Sequence, residues 1–191
     1  MSETAPSSLA SRALRVLLLG FLGLVAIFIE IAPIGFTPHA RPSPDILFAI
    51  VAYWSVRRPG STPVMLIFGL GLVRDLLADV PVGAGTLALI LVVEFLRTQG
   101  ATLVRQSFFI EWATVSMVAF VMISIQFLLV ALTLAQPPFA SALLYQGLYT
   151  AAVYPAVALV LRWVLRIGWR TMGRRGDDRR GPPGLRIGGR A

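Results

Sequence analysis

The sequence contains no cysteine, no lysine and a single histidine. The first absence excludes disulfides, thiolate nucleophiles and cysteine metal sites. The second excludes a phosphate-cradling glycine loop with its lysine. His39 lies in a proline-rich stretch, so neither an imidazole metal centre nor a Ser/His/Asp arrangement is expected within the apolar runs. Charge is scarce too: 14% of the 191 residues are charged, 57% are in the hydrophobic set, and the mean hydropathy is +0.78. A soluble domain carries about 25% charged residues, and this chain could not cover its apolar surface in water.

The apolar runs are also long. From Trp112 to Leu161 no residue carries a formal charge, and the run is broken at Gln136, Pro137 and Pro138. Roughly 20 apolar residues cross a bilayer, so this stretch holds two spans joined by a turn. Residues 16–34 carry Glu30 and run into Pro33 without a small-residue cleavage pattern, which argues against a removable signal. The whole pattern predicts an all-α, polytopic membrane protein with about six transmembrane helices. They are expected near residues 14–34, 44–56, 63–78, 82–97, 108–134 and 140–165, between a polar cytoplasmic arm at 1–13 and a disordered Arg-rich cytoplasmic tail at 168–191. The second, third and fourth runs are short for a hydrocarbon core of about 30 Å, which suggests tilted, broken or re-entrant segments. Tyr53 and Trp54, near the end of the second run, suit an interfacial belt.

All 17 basic residues are arginine. They fall between and after the apolar runs, so they imply membrane lipids rather than nucleic acid as the partner of the tail. With the N-terminus inside and six crossings, segments 1–15, 57–62, 97–107 and 162–191 hold all the arginines except Arg41 and Arg74. That is the positive-inside pattern, with both termini cytoplasmic in a bacterial inner membrane.

A charge inside a span is expensive unless it is paired or turned toward protein or water. Arg74, Asp75 and Asp79 form the main polar cluster, approached by Gly69 and Gly71. Arg74 and Asp75 face about 100° apart on a helix, so each needs a partner on another helix, and Glu94 and Glu30 are the candidates. Three readings compete: charges resting near the headgroups, a buried ion-pair network that holds the bundle or supports a partner surface, and a small-solute site. Glu111 is expected to pair with Arg105 or Arg97, Gln126 to bond across helices, and Pro155 to kink the last helix. Asp75 and Asp79 lie on one run, which does not fit an intramembrane aspartate protease. No enzyme, metal or cofactor is expected.

Pro44-Asp45-Ile46-Leu47, Tyr53-Trp54-Ser55-Val56-Arg57-Arg58-Pro59, the run from Phe68 to Leu77 with Gly69, Gly71 and Asp75, Pro81-Val82-Gly83 and Thr86-Leu87 occur in that order. Their order and spacing resemble the bacterial rod shape-determining membrane protein MreD family; Arg74 departs from the resemblance. The resemblance implies a noncatalytic membrane scaffold of the cell-elongation machinery for lateral peptidoglycan synthesis. Its implied partners are MreC, the glycosyltransferase RodA, an elongation-specific penicillin-binding transpeptidase and the actin-like MreB. The family is similar in expected architecture to the substrate-binding membrane subunits of energy-coupling-factor vitamin transporters. That similarity supplies the alternative of a small-solute binding or transport subunit, for which a pocket lined by Arg74, Asp75 and Glu94 would speak.

Overall fold

The computed structural model describes residues 6–32, 43–78, 81–132 and 140–177. His39 and Asp79 lie outside them. The described residues form six α-helices: α1 (Pro6–Ile31), α2 (Ile46–Arg57), α3 (Val64–Leu77), α4 (Ala84–Leu103), α5 (Phe108–Leu132) and α6 (Ala140–Asp177), with a single 3-10 turn, Pro59–Ser61, after α2. Among the described residues, four segments are long and apolar enough to cross a membrane: Ser11–Ile31, Ala84–Leu103, Phe108–Leu132 and Leu143–Trp163.

Helices α1, α4 and α6 extend beyond the bounds expected from the apolar runs alone. α1 starts at Pro6, inside the expected arm, because proline suits a first helical turn and Ser, Leu and Ala can continue it. α4 is not a short run: it continues through Arg97 to Leu103 and is 20 residues long. Arg97 is carried on the helix, where its Nη1 lies 3.3 Å from Glu94 Oε2 one turn earlier. α6 continues past residue 165 into the first part of the expected tail, with Pro155 inside it. Apolarity ends there before any helix breaker appears.

α2 is the buried centre. It has 12 residues, and every one from Leu47 to Val56 is buried. A helix apolar on all sides has to be surrounded, and α2 packs on α1 and α4. Trp54 is 0% exposed and Tyr53 3%, so neither joins an interfacial belt. At 1.5 Å per residue α2 is about 18 Å long, well short of a bilayer core of about 30 Å. α4 in turn packs on α3 and α5, and α1 packs on α3.

Glycine sets the α3–α4 approach, although not at both expected positions. A Cβ on Gly71 would sit 3.0 Å from Thr86 Cα, and one on Gly85 would press on the Asp75 carboxylate and lie 2.8 Å from Arg74 Nη2. A Cβ on Gly69 would meet nothing within 4 Å. Gly85→Ala is therefore expected to cost about 2 kcal/mol by overpacking. Gly69→Ala should stay within about 1 kcal/mol of the parent on the stabilising side. Thermal unfolding of the two detergent-solubilised variants checks the contrast.

Candidate functional site

A helix that begins inside a bundle leaves its first N–H groups without water, so each needs an acceptor from the protein. At the start of α2, two carboxylates supply them. Asp45 is the N-cap, its Oδ1 accepting from Phe48 N at 2.7 Å. Glu30, near the end of α1, accepts from Leu47 N through Oε1 at 2.8 Å. Both groups also oppose the positive end of the helix dipole. Asp45 N donates to Thr150 Oγ1 at 2.9 Å, and that hydroxyl donates to the Gln146 carbonyl at 2.8 Å, which ties α6 to the same point.

Arg74 completes the pair: its Nη1 lies 2.7 Å from Asp45 Oδ2, while its Nε is 4.0 Å from Asp75 Oδ1. Asp75 caps a different helix. Its Oδ2 accepts from Gly83 N at 3.0 Å, Thr86 N at 2.9 Å and Thr86 Oγ1 at 2.8 Å. Gly83, the N-cap of α4, has φ +98°, a left-handed conformation that glycine adopts without a Cβ penalty. The Pro81-Val82-Gly83 stretch and Asp75 thus form one device, a turn closed by a carboxylate from the preceding helix.

These groups border a partly open cavity of about 520 Å³. Glu30, Asp45, Arg74 and Asp75 form its charged wall, beside Pro44 and Pro81. Ile123, Phe127, Val130 and Leu143 form an apolar wall in which Gln126 and Gln146 are set.

The other end of α2 is held by a second charged group. Arg57 Nη2 lies 2.7 Å from Glu111 Oε2, and Tyr154 Oη donates to Glu111 Oε1 at 3.0 Å. The Arg57 guanidinium also stands 5.3 Å from the centre of the Tyr53 ring. A cation in the last turn suits the negative end of the helix dipole. Trp112 Nε1 donates to the Ala151 carbonyl at 2.8 Å, so α5 and α6 are pinned near the same level.

Of the expected cluster, the structure brings together Arg74, Asp75 and Glu30. It does not include Glu94, whose side chain is 54% exposed and paired with Arg97. Arg74 takes Asp45 instead, a residue the sequence reading placed in a motif without giving it a partner. Its position after Pro44 and before an apolar run is the N-cap signal that could have found it. Glu111 pairs with Arg57 and not with Arg105 or Arg97, because it turns into the bundle and is 1% exposed. Arg58 N donates to the Trp54 carbonyl at 2.7 Å and closes α2, with Pro59 opening the turn that follows. Among the described residues, no group of three or more His, Cys, Asp and Glu could hold a metal ion.

The segments that carried the resemblance to MreD are thus the ones that cap and clamp α2 and α4. No curated protein and no solved structure matches the chain. One family model does, that of the rod shape-determining protein MreD, over residues 11–164. Reaching into all six helices and covering both charged groups, that match shows that the chain belongs to the MreD family.

Proposed function

We propose that this protein is a noncatalytic membrane scaffold of the cell-elongation machinery, needed for rod shape and binding MreC together with RodA, the elongation-specific transpeptidase and MreB. In this reading all six helices cross a bacterial inner membrane, α2 and α3 as short crossings, with both termini in the cytoplasm. The observation that carries it is family membership over residues 11–164. The helix architecture supports it: charged groups in the bundle are used to cap and clamp helices, which leaves the outward faces for lipid or protein. α1 turns Leu17, Phe21, Leu24 and Phe28 outward at heptad spacing, each more than half exposed, a seam on which another apolar helix can pack. The alternation of arginine-bearing segments along the chain supports the orientation.

Depletion of the protein in a rod-shaped host is expected to make cells round, as scored by the length-to-width ratio under the microscope. MreC is expected among the proteins that co-purify in mild detergent. Cells that keep their shape on full depletion would overturn the proposal.

A further inference from the structure

Beyond the scaffold reading, we propose that the outward face of α4 is a self-association surface on which a second copy of this chain packs, the two α4 helices meeting about a two-fold axis along the bilayer normal. The proposal takes from that reading only that α4 crosses the membrane. Leu87, Leu91, Glu94, Thr98 and Ala101 follow one another at intervals of four, three, four and three residues, and all are exposed. That is the spacing of a coiled-coil seam. The opposite side of the same helix is taken up by α2, α3 and α5.

What distinguishes this seam from a face turned to lipid is its third member. Glu94 lies about 15 Å from the first residue of α4 and about 14 Å from the last, so its short side chain reaches water at neither end of a crossing helix. Asp75 and Glu111 are turned into the bundle at 1% exposure, whereas the Glu94 side chain is 54% exposed. A charge at mid-depth is costly unless a protein group or water covers it. Arg97 balances the charge without using up the bonding. Its contact with Glu94 is 3.3 Å long, against 2.7 Å for Arg57 with Glu111 and for Arg74 with Asp45. Among the described residues it is the one hydrogen bond that either side chain makes. Most of the acceptor capacity of the carboxylate and the donor capacity of the guanidinium is therefore left over.

The occupant follows from the signs. A face that carries an anion and a cation one turn apart is complementary to itself, and a two-fold interface sets each residue against its counterpart's neighbour. With the axis along the bilayer normal the two copies keep the same depth, so Glu94 of each stands beside the partner's Arg97. A ring of four alternating charges then makes the bonds that one pair leaves open. Leu87 and Leu91 continue the contact toward the start of α4, with Phe95 at its edge.

The sequence has no cysteine, so single-cysteine cross-linking of the full chain in lipid vesicles reads this geometry directly. Leu91→Cys and Thr98→Cys are expected to give a disulfide-linked dimer on oxidation with copper phenanthroline. Met117→Cys, at a position 71% exposed on α5, is not. In the Leu91→Cys background, Glu94→Arg alone and Arg97→Glu alone are each expected to raise the dimer dissociation constant at least about tenfold, since like charges then meet. Mixing those two chains restores the cross-link, because opposite signs face one another again. The Leu91→Cys and Thr98→Cys results decide the matter if a charge-reversed chain does not fold. No cross-link at Leu91→Cys in vesicles, where no other protein competes for the face, overturns the proposal. So does an equal yield at Met117→Cys, or a dimer cross-linked through Phe21→Cys on α1 instead. Labelling of Leu91→Cys by a membrane-impermeant maleimide also overturns it, and that outcome alone removes the crossing of α4 from the scaffold reading as well.

Discussion

Asp75→Ala is expected to be the most damaging single substitution in the chain, lowering stability by about 4 kcal/mol. The carboxylate is 1% exposed, and its Oδ2 alone satisfies Gly83 N, Thr86 N and the Thr86 hydroxyl. Alanine leaves two helix-start N–H groups without an acceptor and removes a carboxylate beside the Arg74 guanidinium. Unfolding should begin where α3 turns into α4, so hydrogen exchange is expected to rise first at Gly85, Thr86 and Leu87. Thermal denaturation in detergent gives the magnitude. A loss below about 1 kcal/mol would mean that water replaces the carboxylate at no great cost.

Glu111→Ala should follow, at about 3 kcal/mol. Here one buried carboxylate serves two partners on two elements, Arg57 at the end of α2 and Tyr154 in α6. Arg57 Nε already lacks a hydrogen-bond partner, so without Glu111 the guanidinium turns toward its exposed side, and Tyr154 Oη is left buried and unpaired. Arg57 is 33% exposed, which keeps the cost below that of Asp75. Glu111→Gln should recover about half of the loss, since the amide oxygen still accepts from Tyr154. Equal Tm values for the Gln and Ala variants would show that the Tyr154 bond contributes nothing.

Much of this is legible in the sequence. Apolar length, proline breaks and the spacing of arginines give six helices and the short second one, since these depend on local composition and on the bilayer. The partners of Arg74 and Asp75 were legible only as a need. Two adjacent charges on a helix cannot both be served from their own helix, but which neighbour supplies each is a matter of tertiary packing. Glu94 was a reasonable candidate by hydropathy. It lies about 15 Å along α4 from the cap that Asp75 serves, and on the outer face, where Arg97 at i+3 already neutralises it. Trp54 misled for a related reason: an aromatic at the end of an apolar run suits a headgroup belt unless the helix is enclosed, and α2 is enclosed. Gly69 and Gly71, two apart, face different directions, so only the second meets α4.

The brevity and complete enclosure of α2 also bear on how the protein is made. Twelve residues, with Asp45 before them and Arg57 and Arg58 at the far end, give an insertion machinery too little greasy length to release into lipid by itself. In the folded protein α1 and α4 shelter the segment, so it is expected to enter the bilayer only in their company. A nascent chain halted before Leu103 is therefore expected to hold its enclosed second helix without a cover.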